Sequence, residues 1–137
     1  MINYPVKILV SFGEAVGGNS KFLYWLMQNG YPELAALANA IHTNDEAFQW
    51  LMKNKFPQYA ALSKAIWEDE NALRWLKEKR FEFLVILAEA INYKEDRLQW
   101  LQDNNLQVFI IICKKIQAFK IRRMEDLDDY HKGPFSD

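Results

Sequence analysis

One cysteine, Cys113, stands in 137 residues. An internal disulfide is therefore impossible, and nothing calls for an oxidising compartment. There are two histidines, His42 and His131, far apart and without metal-ligand spacing, so no metal is implied. No window reaches the about 20 apolar residues a membrane span needs; "LQVFIIICKKI" comes nearest and lysines interrupt it. The N-terminus "MINYPVKILV" lacks a basic region before a long apolar run, so it is a poor signal peptide. Excess charge of either sign is also missing: 17 Lys plus Arg against 18 Asp plus Glu leave −1. That gives no general attraction to nucleic acid or anionic lipid. What remains to expect is a cytoplasmic protein of one domain.

What is abundant is apolar and aromatic surface. Half the residues are hydrophobic and 15% are aromatic, enough for a packed core and too much for disorder over most of the chain. The aromatics are also periodic. Trp25, Trp50, Trp75 and Trp100 recur every 25 residues, each followed by leucine: Leu26, Leu51, Leu76, Leu101. Further columns keep the interval: Ile41, Ile66, Ile91, Ile116; Leu37, Leu62, Leu87, Ile112; Tyr31, Phe56, Phe81, Leu106. Repetition at a fixed short period signals stacked supersecondary units.

The units are residues 19–43, 44–68, 69–93 and 94–118. Each opens with polar or acidic residues suited to a helix N-terminus, such as Asn44-Asp45-Glu46; Thr43 with Glu46 has capping-box spacing. A short helix carrying the Trp-Leu pair follows. A break comes next, Asn29-Gly30 before Pro32 or Asn54-Lys55 before Pro57. Glycine or asparagine suits the left-handed residue after a helix, and proline the first turn of the next. A second helix follows, with Leu34, Leu37, Ala38 and Ile41 at i, i+3, i+4, i+7. A rival reading, one long helix with 25 residues as about seven turns, is opposed by these breaks. Units three and four lack the prolines, and their turns at Lys79-Arg80 and Asn104-Asn105 are expected by likeness to the first two.

The same ruler disposes of a tempting motif. "VKILVSF" followed by "GEAVGGNSK" reads as strand, glycine loop and helix, the order of a phosphate cradle. Subtracting 25 puts Val16 under Ile41 and Phe12 under Leu37, so residues 1–18 form a half repeat ending in a turn at Gly17-Gly18. Lys21 also comes too late for a P-loop. After residue 118 the Trp-Leu signal stops. The last helix should run on to about residue 124, within a cap and tail spanning 119–137, loose from about Gly133.

The expected fold is all-α: a right-handed superhelix of about four and a half two-helix repeats. It resembles the α-solenoid class, of which HEAT and armadillo repeats are examples, in architecture and not in residue signature. That resemblance implies a non-enzymatic binding or scaffolding protein with a protein or peptide partner, working as an adaptor or small inhibitor, through an edge or the concave face.

No catalytic constellation or cofactor site stands out. The inter-unit turns should align as a ridge, and Trp67, in a column shared with His42 and Asn92, is the best pointer to a contact surface, with Tyr93 and Glu68 beside it. The plainer account lays Trp67 on its neighbouring unit. The tryptophan ladder could stack ligand rings, but strict pairing with leucine favours packing between units. Cys113, in a column of Ala38, Ser63 and Ala88, fits a small buried side chain. Basic clusters at Arg74, Lys77, Lys79, Arg80 and at Lys114, Lys115, Lys120, Arg122, Arg123 could meet phosphates; a solvated helix face is favoured, and nucleic acid is disfavoured by overall charge. The remaining alternative is a small-molecule or lipid binder with an aromatic-lined cleft. Oligomeric state is left open.

Overall fold

The computed structural model describes residues 1–131, with side chains to residue 127. Over these residues the chain is all-α. Its helices are α1 Val6–Val16, α2 Ser20–Gln28, α3 Pro32–Ile41, α4 Asp45–Lys53, α5 Pro57–Ala65, α6 Glu70–Glu78, α7 Glu82–Ile91, α8 Glu95–Asp103 and α9 Gln107–His131. Each repeat is thus a nine-residue helix followed by one that carries most of the buried surface.

Every break, including those expected only by likeness, ends its helix in the same way. Two residues per period take positive φ: Gly18, Thr43, Glu68 and Tyr93 between units, and Gly30, Lys55, Arg80 and Asn105 within them. After each, the next amide reaches back five residues to a helix carbonyl, as Asn44 to Asn39 and Phe81 to Leu76. This satisfies the terminal carbonyls that a helix leaves open. Thr43 is therefore the left-handed residue and not the cap its spacing with Glu46 suggested. The cap is Asn44, whose Oδ1 accepts from the Ala47 amide at 2.8 Å; Asp69 does the same for Ala72 at 3.0 Å. Pro32 and Pro57 sit in the first turn of α3 and α5, where a missing N–H costs nothing.

The short helices are pinned by one residue each. Leu26, Leu51, Leu76 and Leu101 are completely buried, each contributing about 1.5–3 kcal/mol. The tryptophans beside them are only half-buried at the edge of the core. Trp50 stacks on Phe56 and Trp75 on Phe81, the ring centroids 6.3 and 5.9 Å apart.

The long stripe of the other helices makes the core. The columns Leu9, Leu34, Tyr59, Leu84, Phe109, then Phe12, Leu37, Leu62, Leu87, Ile112, then Val16, Ile41, Ile66, Ile91, Ile116 are buried in every member. Five such helices pack in succession, α1 on α3, α3 on α5, α5 on α7, α7 on α9, and α9 returns onto α1 in the most extensive helix contact of the described chain. The stack is therefore closed. Five inner helices form a ring, and the outer helices α2, α4, α6 and α8 fill four of the five grooves around it. Gly13, in the column of Ala38 and Ser63, faces α9, where a Cβ would make ordinary van der Waals contact with Ile112 at 3.4 Å. A 3.0 Å ion pair between Glu14 and Lys115 spans the same contact.

α9 does not turn at the end of the fourth unit. The left-handed slot holds Ala118 and the capping slot Phe119, a strong helix former and a residue with no capping oxygen. The helix runs to His131, past the expected end near residue 124. The expected loose tail from Gly133 lies outside the described residues.

Candidate functional site

The inter-unit ridge is built from the ends of the inner helices, and it carries internal bonds. His42 Nε2 lies 2.7 Å from the Val16 carbonyl, Trp67 Nε1 donates to Ile41 at 2.8 Å, and Asn92 Nδ2 donates to Ala65 at 2.9 Å. Gln117, next in the column, donates to Ile91 at 3.1 Å. Each reaches the C-terminal carbonyls of the preceding inner helix, which have no partner within it. The column thus requires a side-chain N–H of suitable reach, and His, Trp, Asn and Gln all supply one. That shared chemistry was visible in the sequence, hidden by the members' different shapes.

The ridge is also covered. The extended part of α9 crosses the mouth where the inner helices end. The Phe119 ring stacks on His42 at 4.1 Å and meets the edge of Trp67 at 6.5 Å. Lys120 Nζ donates to the Ile66 carbonyl and to Asn92 Oδ1, both at 2.8 Å, and lies over the Trp67 ring. Arg122 donates to the Gly17 carbonyl and Arg123 to the His42 carbonyl, both at 3.0 Å. Three cations and Gln117 therefore cap the C-terminal ends of α1, α3, α5 and α7, where the helix dipoles concentrate negative charge. Part of the sequence's second basic cluster is this cap. Burial lowers the pKa of Lys120, and burial beside Arg123 and Arg122 lowers that of His42. A neutral imidazole with its proton on Nε2 matches the Val16 carbonyl, which only accepts. Of the four ridge residues singled out by sequence, His42 and Trp67 face α9, while Tyr93 is 61% exposed and Glu68 is exposed.

Two other groups have structural surroundings. Glu89 is buried between α6, α7 and α8, with Lys94 at 3.1 Å, Arg97 at 3.0 Å and Lys77 at 3.7 Å. Burial opposes its ionisation, but the bond from Lys94 and the charges of Lys94, Arg97 and Lys77 outweigh it and hold the carboxyl below its ordinary value. The Cys113 thiol is fully buried and pushed up to about 12 by that burial, so it is no nucleophile at neutral pH. Among the described residues no group of three His, Cys, Asp or Glu side chains could hold a metal, and no helix is long and apolar enough to cross a membrane.

The open feature is the fifth groove, between α9 and α1. Column by column, the repeat shows what is missing there. Val85 of α7 is 7% exposed, and its equivalents Ala35 and Ala60 are 2% and 0%; the equivalent Val10 of α1 is 48% exposed. Ile86 is half-buried, whereas its equivalent Ile111 of α9 is 53% exposed. On the occupied sides of the same two helices, Ser11 is buried and Ile110 half-buried. Each end helix is thus covered by its one outer neighbour and bare toward the other. Val6, also exposed, continues the strip to a hollow of about 290 Å³ bounded by Leu9, Leu106 and Val108. Ile2 and Tyr4 of the N-terminal segment also border that hollow. No single column carries this feature, because it depends on α9 returning onto α1.

Comparison with protein-family models, with curated proteins and with solved structures finds no match to this chain.

Proposed function

We propose that this is a non-enzymatic, cytoplasmic helical-repeat protein that binds a protein partner through the groove between α9 and α1. The observation that carries the reading is the apolar strip Val6, Val10 and Ile111, bare where the same columns elsewhere are covered by an outer helix. Exposed contiguous apolar surface rimmed by polar residues marks interaction sites. A groove of this kind suits a helix laid along it, in the manner of helix-in-groove recognition. The architectural likeness to HEAT and armadillo repeats supports a binding role by analogy. The ridge is the lesser surface in this reading, with Tyr93 and Glu68 as its accessible members, because His42 and Trp67 already have partners in α9.

The test is a comparative pull-down from the source cell with the wild-type chain and with Ile111→Asp, a change at an exposed position that should leave the fold and its circular dichroism melt intact. A partner retained by the first and lost by the second is the expected result. Partners held equally by both, or by neither, would sink the assignment of binding to this groove.

A further inference from the structure

The outward face of each inner helix is finished differently in each unit, and the 25-residue frame aligns the differences. In the third unit the outward position holds Glu89. Arg97 Nε donates to its Oε1 at 3.0 Å, Lys94 Nζ donates to its Oε2 at 3.1 Å, and Lys77 lies 3.7 Å away. In the second unit the same position holds Lys64, whose ammonium lies over the Phe48 ring at 4.8 Å. In the first unit the residues equivalent to Lys77, Glu89, Lys94 and Arg97 are Met27, Asn39, Asn44 and Ala47. The guanidinium and its carboxylate are both missing, and these four residues border a hollow of about 370 Å³. Its floor is Pro32, Ala35 and Ala36 of α3, and its polar and aromatic groups are Asn39, Glu46 and Trp50.

Two further observations bear on what this hollow would hold. Among the described residues no lysine or arginine lines it; Lys53 and Asp45 lie in an adjoining hollow that shares Glu46 and Trp50. The chain also shows what an indole of this column accepts. Lys7 Nζ lies 5.8 Å from the centre of the Trp25 ring. Twenty-five residues on, Trp50 has Pro32 where Trp25 has Lys7.

We infer that this hollow takes the guanidinium of an arginine from a partner protein, laid on the half-buried Trp50 ring and paired with Glu46 as Arg97 is paired with Glu89. Arginine suits the site better than lysine. A planar guanidinium can cover the indole while its N–H groups reach a carboxylate and an amide oxygen in its own plane. A free amino acid suits it less, because its own carboxylate would enter beside Asp45 and Glu46. The site is separate from the groove between α9 and α1 and does not depend on it.

The probe is N-acetyl-arginine amide, titrated into the full chain and followed by the indole N–H signal of Trp50, which Trp50→Phe identifies. A saturable shift of that signal is expected. The blocked citrulline amide, which keeps the shape and loses the charge, should bind about fivefold more weakly or worse. Glu46→Gln, at an exposed position, should weaken the arginine probe about threefold. Ala47→Arg combined with Asn39→Glu rebuilds the pair of the third unit inside the hollow and should abolish binding while the circular dichroism melt stays cooperative. If that variant does not fold, Glu46→Gln carries the test alone. No saturable shift at Trp50, equal binding of the citrulline probe, or binding untouched by Glu46→Gln overturns the inference. Equal binding of N-acetyl-lysine amide overturns the assignment to arginine, and tighter binding of free arginine overturns the assignment to a partner protein.

Discussion

Replacing Lys55 and Arg80 by glycine should make the protein more stable. Both residues sit at φ near +65°, at +69° and +62°, in the position that ends an outer helix, where their Gly30 equivalent sits at +88°. A side chain in left-handed backbone costs about 1–2 kcal/mol. Glycine removes that cost and loses about 0.5–1 kcal/mol through its greater freedom in the unfolded chain. The difference is about 0.5–1 kcal/mol per site. The two residues are exposed and share no hydrogen-bond partner, so the effects should add to about 1–2 kcal/mol. For a chain of this size that is about 5 °C in Tm. The reverse change, Gly30→Ala, meets nothing within 4 Å of the new Cβ, so its cost of about 1 kcal/mol would be purely conformational. Urea denaturation with a fixed m-value reads both. If the glycine variants are neutral or worse while Gly30→Ala is harmless, the left-handed turns are not where strain resides.

Leu76→Ala should cost about 3 kcal/mol and Trp75→Ala less, about 2 kcal/mol, because the leucine is fully enclosed while the indole keeps one side in water against Phe81; paired denaturation curves decide the order. Changing Lys120, Arg122 and Arg123 together to methionine should remove about 2–3 kcal/mol, since carbonyls at three helix ends lose their donors; unchanged stability would show that solvent serves them equally well. His42 gives a pH signature. Its folded pKa lies below the unfolded value of about 6.5, so the unfolded state binds more protons and stability falls as pH drops below about 6.5 toward the folded pKa. In His42→Gln, which keeps an N–H for Val16, the decline in urea midpoint between pH 7.5 and 5.5 should be smaller than in the wild type.

Much of this was local and therefore readable. Tryptophan at 25-residue intervals, the breaks at Asn29-Gly30 and Asn54-Lys55, and the i, i+3, i+4, i+7 stripe beginning at Leu34 act within one unit or between neighbours. They specified helix pairs, their turns and their buried faces, and they placed Gly17-Gly18 in a turn instead of a phosphate loop. The burial of Cys113 followed from the same columns.

What the pattern did not carry depends on contacts between distant parts of the chain. A repeat states how each unit sits on the next but not the accumulated rotation, and that rotation decides whether the first unit meets the last. Here α1 meets α9. This closure joins the first and last inner helices of a stack that the repeat pattern describes only as a superhelix with a concave face. It also let the extension of α9 reach carbonyls up to 105 residues away in sequence, occupying the ridge that sequence alone had marked for a partner. The same closure left four outer helices for five grooves. The equivalents of Val10 are buried or half-buried, as are those of Ile111, yet these two are bare because no outer helix lies between the first inner helix and the last.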